Sequence, residues 1–203
     1  MSVEVVTVNY NTPDLIEKLI KSVRYVEGNY QIRVIDGSDR EPFKSKIKEV
    51  CAKFYNVILQ QQGWNIHHGR GMDLAVSTST FEWCLVIDSD NYLKLPIIDK
   101  MLGCQKKIVG GFCYVNNRGM NVSEGIKYYH PSLMLMNVGY YLELKKQGIG
   151  FIHHGAPCIR IMRYLHDNKL TDAVCCDIWA SIEAGSVVSE CTRGTRNRFG
   201  MNL

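Results

Sequence analysis

A chain of 203 residues, 46% apolar and 22% charged, is long enough to bury a real core and too apolar to be disordered. Its net charge of +4 suits a small anionic substrate but is too slight and too scattered to indicate nucleic acid. The apolar runs are too short to span a bilayer, and Met1-Ser2-Val3-Glu4 lacks the basic flank of a signal peptide. Eight cysteines occur, most inside apolar runs such as Trp83-Cys84-Leu85-Val86-Ile87, with no Cys-x-x-Cys among them. Reduced, buried thiols and a cytoplasmic address are therefore expected, and the sequon Asn121-Val122-Ser123 reads as chance.

Val3 to Val8 reads as a strand. Asn11-Thr12-Pro13-Asp14 then opens a helix, with proline at its first position and an acid in its first turn. Leu15, Leu19 and Val23 line one face of that helix beside Ile16 and Ile20, and Gly28 lies past its end. A strand at Gln31–Ile35, a helix from Pro42 to Tyr55, a strand at Val57–Leu59, a helix at Met72–Ser79 and a strand at Trp83–Ile87 follow. Strands this apolar, separated by helices, predict an α/β fold with a mostly parallel sheet and helices on both faces. Beyond residue 95 the pattern loosens into a smaller mixed region. Strands are expected at 107–115 and 132–136 around a polar loop from Asn116 to Tyr129, with helices at 155–166 and 172–184. Without an internal repeat or linker, residues 1–203 make a single domain. The basic stretch 191–203 reads as a flexible tail, and its abrupt end suggests one domain of a longer protein.

In such sheets ligands bind beyond the carboxyl ends of the strands. Polar residues collect there: Asn9-Tyr10-Asn11, Asp36-Gly37-Ser38-Asp39 and Asp88-Ser89-Asp90. If the chain turns after Ile87, Asp88 and Asp90 can both meet a Mg²⁺ or Mn²⁺ ion whose remaining ligands are phosphate oxygens and water. Alone, that pair fits a solvated acidic turn or a helix cap equally well. Asp36 can accept from a base imide or a ribose hydroxyl, or simply shape an Asx turn. Arg70 stands beside two glycines at a helix start, where an arginine and the helix terminus both favour an anion. Gly69-x-Gly71-x-x-Leu74 lacks the third glycine of a dinucleotide fingerprint and does not directly follow a strand, so a nicotinamide site is rejected.

Five segments in order over residues 3–95 carry a resemblance: Val8-Asn9-Tyr10-Asn11, Val34-Ile35-Asp36-Gly37-Ser38-Asp39, Arg70-Gly71-Met72-Asp73, Phe81-Glu82-Trp83, and Leu85-Val86-Ile87-Asp88-Ser89-Asp90. Together they resemble the family 2 glycosyltransferases of the GT-A fold. The resemblance implies that Val8 and Tyr10 border the base of a nucleotide diphosphate sugar, expected to be UDP-linked, and that Asp36 contacts the uracil or ribose. Arg70 and Asp73 would lie near the nucleotide, with Ser89 in the binding turn. Asp88 would sit near the ribose or metal, and Asp90 would be the principal metal ligand. Asp73 stands where the family usually has asparagine, and Phe81 where it has glycine. Residues 1–95 would then bind the donor and residues 96–190 a glycan or other hydroxyl acceptor.

Family members often open a late helix with an acidic pair, one acid deprotonating the acceptor. Asp177 matches that spacing best, and Asp172 is the alternative base. The implied reaction is a metal-dependent single displacement with inversion. His153 and His154 are adjacent, so at most one would enter the site from a strand, while His67, His68 and His130 are read as surface or acceptor-loop residues. Two rivals stay open: a sugar nucleotidyltransferase, whose glycine-rich basic loop is missing, and a nucleotide-sugar-binding module without catalysis.

Overall fold

The computed structural model describes residues 1–152, 156–179 and 188–191. Four strands, β1 (Val3–Asn9), β2 (Gln31–Asp36), β3 (Val57–Gln61) and β4 (Trp83–Ile87), alternate with helices α1 (Pro13–Val26), α2 (Phe43–Ala52) and α3 (His68–Ser77). There follow β5 (Asn91–Leu93), α4 (Ile98–Gly103), β6 (Ile108–Val115), β7 (Ile126–Asn137) and α5 (Val138–Lys146). The last described elements are α6 (Ile159–Asp167), α7 (Thr171–Val174), β8 (Cys175–Asp177) and β9 (Ser189–Cys191).

One sheet of seven strands runs in the order β3-β2-β1-β4-β7-β6-β8, and β5 pairs with β9 in a small second sheet. β7 alone in the large sheet runs antiparallel to its neighbours. The mostly parallel α/β sheet expected from the sequence is therefore present. Alternation along β4 feeds two cores: Trp83, Leu85 and Ile87 face α1, α2 and α4, while Cys84 and Val86 face α3, α5 and α6. Ile16, Leu19, Ile20 and Val23 of α1 are fully buried, each worth about 1.5–3 kcal/mol of apolar transfer. Proline at the first position of α1 costs nothing there, because that amide has no partner within the helix.

Two polar contacts tie the frame. Arg33 on β2 pairs with Glu4 on β1 at 2.8 Å in the interior, and it also donates to Thr78 Oγ1 and the Ala75 carbonyl at the end of α3. Glu27, just past α1, accepts from the amides of Ile97 and Ile98 at 2.5 and 3.2 Å and so caps α4 from a distance. Burial pushes the Glu27 carboxyl above its ordinary range. Cys51, Cys84, Cys104, Cys113, Cys158, Cys175 and Cys176 are free thiols, and no described helix is long and apolar enough to cross a membrane.

The second half departs from the sequence expectation. Residues 172–184 were expected as one helix; instead a single helical turn, α7, gives way to β8. Cys175-Cys176-Asp177 finds backbone partners on β6, and the resulting ladder outweighs a weak helical pattern. The polar loop is shorter than expected, since Ile126–Tyr129 already belongs to β7 and pairs with Phe112–Val115. α6 begins at Ile159, after Pro157, rather than at residue 155. His153, His154, the stretch 180–187 and the tail from residue 192 lie outside the described residues.

Candidate active site

Strand register decides which polar residues meet. Asn9 is paired with Asp36 across β1 and β2. Val6 pairs with Val86, so two residues further on Val8 stands level with Asp88. Ile87 pairs with Leu133 of β7, and Gly110 pairs with both Met134 of β7 and Asp177 of β8. Asn9, Asp36, Asp88 and Asp177 therefore all lie at the carboxyl ends of parallel strands, but not in line: Asp177 is level with Val86, two residues short of Asp88. Alternation turns Asn9 and Asp36 toward the α1 and α2 face, while Asp88 and Asp177 follow the face of Cys84, Val86 and Cys175. Asp88 and Asp177 are three strand spacings apart across the sheet, about 14 Å at ~4.8 Å per strand, and two residues, about 6.6 Å, apart along it.

Asp36 is fully buried. Its Oδ1 accepts from Asn9 Nδ2 at 2.8 Å and from the amide and hydroxyl of Ser38 at 3.1 and 2.6 Å, while its Oδ2 accepts from Gln61 Nε2 at 3.0 Å. This carboxylate locks the ends of β1, β2 and β3 together beneath the surface. Above it, Tyr10 and Asn11 donate to Asp39 at 3.1 and 3.0 Å. Asn11 chiefly, then Tyr10 and Arg40, hold the Asp39 carboxyl below its ordinary range. Val8 is half-buried against Gly71 of α3.

The acidic turn is fastened to β7. The Ser132 carbonyl accepts from the Asp88 amide at 3.3 Å and from Asn91 Nδ2 at 2.8 Å, and the Asn91 amide closes the turn on the Asp88 carbonyl at 3.0 Å. Asp88 and Asp90 are partly exposed, whereas Ser89 is buried. His68, the first residue of α3, brings its Nε2 to 2.9 Å from Asp88 Oδ1. Burial lowers the affinity of this imidazole for a proton, but the facing Asp88 and the nearby Asp90 outweigh it and raise the His68 pKa. The sequence reading had left His68 at the surface; its place two residues before Arg70, on the helix start facing the acidic turn, was the available signal. Asn91 was also missed, although it directly follows Asp90.

Arg70 is exposed on the first turn of α3. Asp73, expected near the nucleotide, faces α5 instead. Its carboxylate accepts from the Tyr141 hydroxyl and pairs with Lys145 at 2.8 Å, so the acid expected at the donor clamps two helices. Asp172 sits on α7 with an 84% exposed side chain held by Lys127 at 2.7 Å, and the Lys127 hydrogen bond lowers its pKa. Asp177, at the carboxyl end of β8, is half-buried and accepts from the Trp179 amide at 3.0 Å. The Trp179 indole crosses Gly111, where a Cβ would lie 1.6 Å from Nε1. Only glycine admits the ring there, beside Asp177.

The donor set at the acidic turn consists of hard carboxylate oxygens, and no cluster of three or more acidic, histidine or cysteine ligands exists among the described residues. Two carboxylates on one turn fit a Mg²⁺ or Mn²⁺ ion completed by diphosphate and water, not a closed protein cage.

The family model "Glycosyl transferase family 2" matches residues 4–170. No curated protein sequence matches the chain. Among solved structures, S. aureus TarS 1–349 superposes with a TM-score of 0.57 at 19% identity, covering 81% of this chain and 56% of that one. The same protein in complex with UDP gives 0.56 at 18% identity, covering 79% and 53%. The mannosyltransferase PcManGT from Pyrobaculum calidifontis, in complex with GDP-Man and Mn²⁺, gives 0.55 at 15% identity, covering 77% and 49%. These likenesses identify the fold as GT-A, and the chain spans about half the length of these solved chains.

Proposed function

This chain belongs to glycosyl transferase family 2, and we propose from that premise that it moves a sugar from a nucleotide diphosphate sugar, UDP-linked, to a hydroxyl of a glycan or similar acceptor. The observation that carries the reading is that Asp88 and Asp177 end parallel strands of one sheet on the same face, beside the end of β1 and β2 that Asn9 and Asp36 hold together. The base-side wall is Val8, Tyr10 and the frame held by Asp36. Asp90, with Asp88, would hold Mn²⁺ or Mg²⁺, which when bound neutralises charge growing on the leaving diphosphate. Arg70 offers a guanidinium to the phosphates from the start of α3, where the helix terminus adds its own partial charge.

Asp177 takes the acceptor proton. It is half-buried, at the end of a strand on the same face as Asp88 and three strands away; in this reading the donor sugar sits between them and the acceptor attacks from the side opposite the diphosphate. The product is then inverted at the anomeric carbon. Asp172, engaged by Lys127 and open to solvent, is the weaker candidate. The polypeptide in which this domain acts is cytoplasmic in this reading.

The test is a melting screen of nucleotides and nucleotide sugars with and without Mn²⁺, since a ligand that binds only the folded chain raises the midpoint. UDP and a UDP-sugar should stabilise in the presence of metal and far less with chelator. Stabilisation by GDP in preference to UDP would move the donor to another base. No stabilisation by any nucleotide would leave the chain without a donor site.

A further inference from the structure

Between the β6–β7 turn and α6 lies a cavity of about 300 Å³ that the reaction above does not use. Its wall carries three arginines: Arg118 from the turn between β6 and β7, and Arg160 and Arg163 from one face of α6. Ile152, Ala156 and Ile159 line the remainder. We propose that this cavity is an acceptor subsite for a phosphate-type oxyanion. This deepens the reading above, because it makes the acceptor an anionic, phosphate-bearing molecule.

The three arginines line one hollow, and no described carboxylate compensates them. Among the described residues no carboxylate pairs with Arg118, Arg160 or Arg163; the hydrogen bonds of the α6 pair go to backbone carbonyls, Arg163 to Asn117 and Arg160 to Gly148 at 3.4 Å. Three like charges around one hollow repel, and a multivalent anion reverses the sign of that interaction. A phosphate presents enough oxygens for three forks arriving from two elements, whereas a carboxylate has only two. The hollow is also held open by the fold. The Asn116 side chain accepts from the amides of Arg118 and Met120 at 2.9 and 3.1 Å, which fixes the turn. Gly119 comes so close to Ala156 that a Cβ would be 3.0 Å from that methyl, which keeps the turn against the lead-in to α6.

Position assigns the hollow to the acceptor. The nucleotide wall is built from β1, β2 and α3, but the arginines stand on α6 and the β6–β7 turn. β7 and β6 are the two strands between β4 and β8, so this turn belongs to the stretch of sheet separating Asp88 from Asp177. The same, N-terminal end of α6 is tied to β7, the strand that also fastens the acidic turn: the amide of the capping residue, Cys158, donates to Tyr128 Oη at 3.3 Å. Burial, and beyond it the Asp88 charge, push the Cys158 thiol up.

The experiment is an NMR titration of the arginine Nε–H signals with inorganic phosphate, in the presence of saturating UDP and Mg²⁺. All three signals should shift, and the R160Q/R163Q variant should bind phosphate about tenfold more weakly or worse, the scale expected for losing hydrogen bonds to a charged group. Glucose 6-phosphate should bind more tightly than inorganic phosphate, and glucose alone should leave the three signals unmoved. Because Arg160 and Arg163 are exposed, the variant should keep its melting temperature and its UDP affinity; R118Q, on a different element, gives the same test should α6 suffer. Unchanged phosphate affinity in both variants would overturn the proposal. So would displacement of phosphate by UDP, which would make the arginines part of the donor site, or a glucose 6-phosphate no better than inorganic phosphate. Failure of UDP to bind at all would instead count against the glycosyltransferase reading, and the same titration reports it separately.

Discussion

Replacing Asp36 with alanine separates a ligand-contacting acid from a buried frame residue. The carboxylate takes four hydrogen bonds from Asn9, Ser38 and Gln61 and has no exposure. At about 1.5–3 kcal/mol for each bond to a charged acceptor, their gross worth is about 6–12 kcal/mol. Two terms offset this. Removing a buried charge recovers several kcal/mol of desolvation, and Asn9 Nδ2 and Gln61 Nε2 keep second partners, Ser38 Oγ at 3.3 Å and the Lys44 carbonyl at 3.1 Å. The net loss is about 3 kcal/mol, which for a chain of this size lowers the melting midpoint by about 6–12 °C. Asp36→Asn keeps one acceptor and should lose less than half of that. Thermal unfolding monitored by circular dichroism, without ligand, measures both. An Asp36→Ala protein that melts within about 2 °C of wild type while losing nucleotide binding would refute the buried-frame argument.

Asp177→Asn should retain donor and metal affinity yet slow transfer by about 10²- to 10⁴-fold, with Asp172→Asn near wild type; reversed results would move the base to Asp172, and two active variants would remove it from this segment. Gly111→Ala drives a methyl into the Trp179 indole, so tryptophan fluorescence should change and the acceptor KM should rise while UDP affinity holds. Unchanged fluorescence would place the indole elsewhere in solution. Arg33→Ala strands Glu4 in the interior and should cost about 3–5 kcal/mol in urea unfolding, whereas a loss under ~1 kcal/mol would show that water reaches the pair.

The first half of the fold was readable because its signals are local and agree with one another. β-branched runs mark β1, β2 and β4, Pro13 and Asp14 mark the start of α1, and each strand ends in a polar cluster. The second half was harder, since its structure depends on partners far along the chain. β8 is a strand because β6 lies beside it, and nothing in Cys175-Cys176-Asp177 says so locally. α5 escaped notice because its apolar residues, Val138, Tyr141 and Leu144, follow directly on a twelve-residue strand. At the site, the positions of Asp36 and Asp88 followed from strand ends, and Asp177 was singled out by a family spacing on what was expected to be a helix, but side-chain partners did not follow. Asp73 was given to the nucleotide by its place in a motif, and only the packing of α5 against α3 shows Tyr141 and Lys145 occupying it. His68 was passed over for the opposite reason, since its contact with Asp88 spans twenty residues that no periodicity connects.

The central claim, that this chain breaks a nucleotide diphosphate sugar at a metal held by Asp90, is tested most directly by UDP release from a panel of UDP-sugars. Wild type and Asp90→Asn are compared with Mn²⁺ and with chelator. The account predicts release by wild type that depends on Mn²⁺, and near-complete loss in Asp90→Asn with the ligand-free melting temperature preserved. Release by Asp90→Asn at the wild-type rate, with the same response to Mn²⁺, would contradict it.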